Sequence, residues 1–162
     1  MKRFIAFYFL FLGGLFILFY APTSQISQMI NEFQTNLTLK ALDLFFKPEQ
    51  LKGIDIWINP SYKIIITKAC NGMIPILFLY ASILAYPSTF VQKIIWMILG
   101  YILFFVVNIV RILLVVYVTE NGKGQGDFYW SHDLIGNTLL MITGLGIFIA
   151  FIKSSTRSLK NL

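Results

Sequence analysis

The sequence has one cysteine, Cys70, and one histidine, His132, and only 12% of its 162 residues are charged. A single cysteine excludes an intrachain disulfide framework. One cysteine and one histidine also leave no ligand set of the kind that holds zinc, so we expect neither a metal nor another cofactor. The chain lacks a glycine-rich phosphate loop, a nucleic-acid-binding module and an internal repeat, and we expect no nucleic-acid partner.

Apolar residues dominate instead, at 57% of the chain and with a mean hydropathy of +0.75. This composition is typical of a polytopic membrane protein whose surroundings are the lipid bilayer. Four segments are candidate membrane spans, the second of them marginal in length: residues 4–20, 71–86, 93–118 and 134–152. We therefore predict an all-α bundle of about four transmembrane helices.

The charged residues predict an orientation. With the N-terminus inside, the inner segments carry only basic residues: Lys2, Arg3, Lys93, Lys153, Arg157 and Lys160. All acidic residues then fall outside: Glu32, Asp43, Glu49, Asp55, Glu120, Asp127 and Asp133. Because positive residues favour the cytoplasmic side, we expect both termini in the cytoplasm and a location in the inner membrane. The N-terminal apolar run has no clear cleavage site after it, so we expect it to remain as a helix.

The long outer segment, residues 22–69, has two patterned parts. Apolar residues in 25–46 recur every three or four positions, which predicts an amphipathic helix that packs on the bundle or lies at the membrane interface. Residues 54–58 alternate in polarity, Asn59-Pro60-Ser61 is a turn signal, and 62–67 are β-branched and aromatic. This pattern predicts a β-hairpin, which either pairs with an extended peptide or caps the helices.

Cys70 lies at the predicted outer end of the second span. A helix N-terminus favours the thiolate form of a cysteine, which is the nucleophilic form. Asn71 and Gly72 follow, and the glycine leaves room for a backbone to approach closely. The alternative is a buried cysteine that acts as a small hydrophobic residue.

Arg111 and His132 are predicted at the same outer side as Cys70. A buried arginine costs about 2.5–3.5 kcal/mol at a helix centre and should pair with an anion or extend to the headgroups. Asn108, three residues earlier, shares its helix face. His132 suits general acid and base catalysis because imidazole titrates near neutral pH, although an interfacial histidine is the alternative. Gly136 lies near the His132 face and permits close helix packing.

Three short blocks resemble the exosortase/archaeosortase family: Ala69-Cys70-Asn71-Gly72, Asn108-Ile109-Val110-Arg111 and His132-Asp133-Leu134-Ile135-Gly136. Many members have serine where this chain has Asn71. The resemblance implies a membrane cysteine transpeptidase that cleaves the C-terminal sorting signal of membrane-anchored substrate proteins and transfers them to an envelope acceptor. It implies that Cys70 is the nucleophile, Arg111 the stabiliser of the thiolate or transition state, and His132 the acid and base.

On this interpretation the chain is one membrane domain in four parts. The parts are a first transmembrane helix (1–21), an extracytoplasmic helix and hairpin (22–69), a three-helix catalytic core (70–152) and a basic cytoplasmic tail (153–162). Two other functions stay open: a non-catalytic scaffold or assembly subunit, and a small transporter component. The apolar run from Val107 back to Leu103 offers no polar path and disfavours transport. The oligomeric state is not predicted.

Overall fold

The structure, a computed structural model, describes residues 2–22, 24–59, 62–121 and 136–160. Within these residues the chain forms five α-helices and a small sheet. The helices are α1 (Lys2–Phe19), α2 (Gln25–Leu42), α3 (Met73–Ala85), α4 (Phe90–Asn121) and α5 (Asn137–Lys160). The strands are β1 (Leu51–Lys52), β2 (Asp55–Asn59) and β3 (Tyr62–Ile65). A 3₁₀ turn, Lys68–Asn71, leads from the sheet into α3.

Among the residues that the structure describes, three helices are long and apolar enough to cross a membrane, namely α1, α4 and α5. The predicted class, a multi-pass helical membrane protein, is confirmed. Helix α3 is shorter than its predicted span because it begins at Met73, after Gly72 takes a left-handed conformation with φ of 75°. Its 13 residues extend only ~20 Å at 1.5 Å per residue, less than the ~30 Å of a hydrocarbon core.

The short helix α3 occupies the centre of the bundle, where it packs against α1, α4 and α5. Buried side chains from α3, α4 and α5 form one apolar core: Ile76, Leu79, Ile83, Phe104, Leu140, Ile147 and Phe151. Helix α1, by contrast, has no buried residue. Many of its apolar side chains, such as Phe9, Leu10 and Ile17, are exposed, as expected for a helix in contact with lipid.

Helix α2 confirms the predicted amphipathic helix, but its polar face is the buried one. Ser27, Asn31, Gln34 and Thr38 are buried, with at most 6% of each residue exposed. Met29 and Phe33, on the other face, are 70% and 66% exposed. This arrangement suits a lipid environment, where outward apolar groups cost nothing and polar groups must find hydrogen bonds inside the protein.

The predicted hairpin is present as the antiparallel pair β2–β3, and β1 adds a third strand in the order β1-β2-β3. Ile56, Ile64 and Ile66 turn inward and join a second apolar core with residues of α4 such as Ile112 and Val115. The sheet is thereby fixed against the final turns of α4. We call this end of the bundle the sheet end.

The two ends of the bundle differ in charge. At the end opposite the sheet, Arg3 and Lys93 line one groove with Tyr86, and the Lys93 ammonium donates to the Leu84 carbonyl oxygen at 2.6 Å. At the sheet end, Gln50 donates to a Glu120 carboxylate oxygen at 3.3 Å. The acidic residues of the described ranges belong to the sheet end: Glu32, Asp43, Glu49, Asp55 and Glu120.

Candidate active site

Cys70 lies in the 3₁₀ turn that precedes α3 rather than in the first turn of the helix, which corrects the predicted helix start. Its backbone N–H donates to the Thr67 carbonyl oxygen at 2.8 Å. Its Sγ lies 3.7 Å from Thr67 Oγ1. The residue is 9% exposed. Gly72 is the N-cap of α3, so Cys70 lies two residues before the cap and three before the first residue of the helix.

Asn71 anchors the turn that carries Cys70. Its side chain is fully buried, and its Oδ1 accepts the N–H of Met73 at 3.1 Å, which caps the start of α3. Its Nδ2 donates to Asn31 Oδ1 at 3.1 Å, and its carbonyl oxygen accepts from Gln34 Nε2 at 3.2 Å. Asn71 therefore joins the cysteine turn to two side chains of α2.

The α2 contacts extend to the middle of the bundle. Tyr101 on α4 donates its hydroxyl to Gln34 Oε1 at 2.5 Å. Asn31 also donates to the carbonyl oxygens of Phe19, at 2.8 Å, and Ser27, at 2.7 Å. Asn31, Gln34 and Tyr101 were not among the predicted site residues. The available signal was the uncharged polar stripe at positions 27, 31, 34 and 38, which follows helical spacing.

Gly72 and Cys70 both contact the side chain of Asn108. A Cβ added at Gly72 would lie 3.1 Å from Asn108 Cγ, so only glycine fits without displacing that side chain. Asn108 is 1% exposed, and its Nδ2 donates to the Cys70 carbonyl oxygen at 3.0 Å. The sequence analysis expected a backbone to approach at Gly72, whereas the structure places the side chain of Asn108 there.

Arg111 lies one turn further along α4 and is 3% exposed. Its Nη1 donates to Asn108 Oδ1 at 3.3 Å, and its Nη2 donates to Asn137 Oδ1 at 3.3 Å. Asn137 is the first residue of α5 and follows Gly136, which is buried. Asn108 thus bonds to both Cys70 and Arg111, while Asn137 ties the guanidinium to α5.

One cavity is lined by both Cys70 and Arg111. Its other walls are the aliphatic side chains of Ile64, Ile66, Ile112, Val115 and Val116. The cavity volume is about 10 Å³, roughly the space that one water molecule needs. Charge–charge attraction is stronger in such an apolar enclosure than in water. The cavity can hold about one water-sized group against the residues Cys70 and Arg111 that line it.

His132 lies in residues 122–135, outside the described residues, as do Trp130 and Asp133. Beyond this segment, the first described residue with a contact in the site is Asn137, which accepts a hydrogen bond from Arg111. In the described part of the chain, no three histidine, cysteine, aspartate or glutamate side chains cluster as metal ligands would.

The fold and site define a multi-pass helical membrane protein in which Cys70 and Arg111 line one small cavity. The family model described as transmembrane exosortase (Exosortase_EpsH) matches residues 2–149. The chain belongs to the transmembrane exosortase family, which makes it in general terms a membrane protein-sorting transpeptidase. Comparison with curated proteins and with solved structures found no match in either set.

Proposed function

We propose that this protein is a membrane-embedded cysteine transpeptidase that cleaves the C-terminal sorting signal of exported proteins. The observation that carries the proposal is the shared cavity of Cys70 and Arg111 in a chain of this family. The cleaved protein would be held as a thioester on Cys70 and then transferred to an acceptor of the cell envelope.

In the first step, the Cys70 thiolate attacks the carbonyl carbon of the scissile peptide bond. A C–S bond forms, and negative charge collects on the carbonyl oxygen, where the Arg111 guanidinium stabilises it. The C–N bond then breaks, and His132 supplies the proton that the leaving amine requires. In the second step, the acceptor attacks the thioester, gives its proton to His132 and releases the Cys70 thiolate.

The supporting residues hold these groups in place. Asn108 fixes the Cys70 carbonyl group and one nitrogen of Arg111. Asn71 fixes the turn from the α2 side, and Gly72 provides the space that Asn108 fills. Gly136 is buried where α5 begins and Arg111 contacts Asn137. A catalytic site needs such rigid support because small displacements of reacting groups reduce the rate strongly.

We further propose that the sheet end faces the outside of the inner membrane. The separation of acidic residues at the sheet end from the basic pair Arg3 and Lys93 at the other end supports this orientation. Positively charged ends favour the cytoplasmic side, so both termini would be cytoplasmic. The thioester would then form on the extracytoplasmic face, where exported substrates anchored by a C-terminal helix arrive. The four parts predicted from the sequence act together as one membrane domain.

The test is a processing assay in native membranes with Cys70→Ala, Arg111→Ala and His132→Ala. Endogenous membrane-anchored surface proteins would be followed by mass, because unprocessed precursors keep their C-terminal helix. We expect each variant to insert normally and cleavage by Cys70→Ala to fall by at least about 10³-fold, as loss of a catalytic nucleophile does elsewhere. Wild-type processing by Cys70→Ala would contradict the nucleophile assignment and favour the scaffold hypothesis.

A further inference from the structure

Gln34 is a buried glutamine of α2 whose amide bridges two other elements of the site. It is 2% exposed, and its Nε2 donates to the Asn71 carbonyl oxygen at 3.2 Å. Its Oε1 accepts the hydroxyl of Tyr101 on α4 at 2.5 Å. Because both ends of the amide are engaged, its orientation is fixed, with the N–H group towards the cysteine turn. Gln34 thereby connects the middle of α4 to the residue that follows Cys70.

The Asn71 carbonyl group cannot be satisfied by the backbone in the usual helical way. In an α-helix its oxygen would accept the N–H of the residue four positions later, but that residue is Pro75, which has no N–H. Two consecutive carbonyl groups at the end of the cysteine turn are instead held by buried amides. Asn108 Nδ2 donates to the Cys70 oxygen, and Gln34 Nε2 donates to the Asn71 oxygen. The turn is therefore held by α4 and by α2.

A second side chain of α2 holds the amide of Asn71. Asn31 lies three residues before Gln34 and is 6% exposed, and its Oδ1 accepts from Asn71 Nδ2 at 3.1 Å. Asn31 is fixed in turn, because its Nδ2 donates to the carbonyl oxygens of Phe19 and Ser27. Helix α2 thus binds both the main chain and the side chain of Asn71. Each of these bonds constrains the turn, since a lost partner would leave a desolvated polar group behind.

We infer that Gln34 is a positioning residue for the Cys70 nucleophile. The inference rests on the proposed function for its effect on cleavage. Gln34 acts through the Asn71 carbonyl group and supplies the contact from α2 that complements the contact of Asn108 from α4. Without the donor of Gln34, the Asn71 oxygen loses that bond in a buried site, and the turn that carries Cys70 moves towards another partner.

The test compares Gln34→Leu with Gln34→Glu. A protonated carboxyl group can replace both bonds of the amide, since its O–H donates and its other oxygen accepts. A carboxylate only accepts, and it would face the Asn71 carbonyl oxygen. Gln34→Glu should therefore behave like wild type at about pH 6 and fail towards about pH 9, the range to which burial can move a glutamate. Gln34→Leu should be impaired throughout this range.

The first readout is precursor cleavage in native membranes, relative to wild type at the same pH and divided by the amount of inserted protein. The impaired states should cleave about 10- to 100-fold more slowly, as when a reacting group is displaced by roughly 1 Å. Tyr101 is the one titratable side chain among the described hydrogen-bond partners of Gln34. The ratio to wild type should therefore follow the new carboxyl group.

The second readout is alkylation by iodoacetamide, which does not require the transfer reaction. Cys70 is the only cysteine and is 9% exposed, so the labelling rate reports how well the turn shields its thiol. Gln34→Leu should label about 2- to 12-fold faster than wild type, because opening of the turn becomes easier by one neutral hydrogen bond. Gln34→Glu should label faster only at the higher pH.

Gln28→Leu and Gln28→Glu are the matched controls. Gln28 is an exposed glutamine of the same helix, and it donates to the Pro22 carbonyl oxygen at 3.1 Å. Both controls should match wild type in cleavage and in labelling. The inference is overturned if the ratio of Gln34→Glu to wild type does not change with pH, or if Gln34→Leu stays within about twofold of wild type in both assays. Failure of the proposed function is a separate result, because Cys70→Ala would then still cleave precursors while the labelling rates stay informative.

Discussion

Replacing Asn108 with leucine should separate Cys70 from Arg111 while leaving the helical bundle in place. The Asn108 side chain is 1% exposed and bonds to the Cys70 carbonyl oxygen and to the Arg111 guanidinium. Leucine has a similar shape but no hydrogen-bonding atom in its side chain. A neutral hydrogen bond contributes about 0.5–1.5 kcal/mol and one to a charged group about 1.5–3 kcal/mol, so the change removes a sizeable constraint on both groups.

The effect on the rate follows from how much of that constraint acts in the transition state. If about 2 kcal/mol does, cleavage slows roughly 30-fold, because 1.36 kcal/mol corresponds to a factor of ten. The measurement is the rate of precursor cleavage in native membranes, divided by the amount of inserted protein. Asn121→Leu is the control, since Asn121 is exposed at the end of the same helix and donates to the Tyr117 carbonyl oxygen.

A double variant tests whether Asn108 acts through Arg111. If it does, combining Asn108→Leu with Arg111→Ala should slow cleavage little more than Arg111→Ala alone, because the two side chains would share one contribution. The reasoning is refuted if Asn108→Leu stays within about threefold of the wild-type rate, a change under 0.7 kcal/mol, while Arg111→Ala slows cleavage strongly. Full additivity of the two substitutions would also contradict it.

Two further substitutions test the support of the cysteine turn, each against a control of the same type. Gly72→Ala and Gly53→Ala both force alanine into a left-handed conformation, at about 1–2 kcal/mol, but only position 72 contacts Asn108. Both should lower the unfolding temperature in detergent, and only Gly72→Ala should also slow cleavage markedly; equal cleavage rates would contradict this. Tyr101→Phe removes the hydroxyl group that donates to Gln34 of α2. It should lower the free energy of unfolding by about 0.5–1.5 kcal/mol and slow cleavage. Tyr117→Phe is the control at an exposed position and should change neither quantity.

The sequence predicted the features that depend on local patterns. Apolar runs located the helices, and alternation with a turn signal located the β2–β3 hairpin. Helix direction and length then placed Cys70 and Arg111 towards the same end, and the structure brings both to one cavity. The assignment of His132 stays a prediction, because it lies outside the described residues.

The support of the site was not predictable in the same way. Periodicity shows that α2 has two faces, but it does not show which face turns inward when the surroundings are lipid. The bonds that fix Asn71 join it to Asn31 and Gln34, about 40 positions away in the chain, and no local pattern encodes such a pairing. The start of α3 was also misplaced, because the left-handed conformation of Gly72, which ends the 3₁₀ turn before the helix, cannot be recognised from apolar periodicity.

The depth of the site follows from the unequal lengths of the central helices. Arg111 lies ten residues before Asn121, the last residue of α4, which is ~15 Å along the helix axis. The short helix α3 lets the sheet and the cysteine turn reach down to that level, since the turn leads directly into Met73. The apolar face of α2 is exposed around it and suits contact with lipid. Under the proposed function, a thioester at this depth meets little water, which favours transfer to an acceptor over hydrolysis.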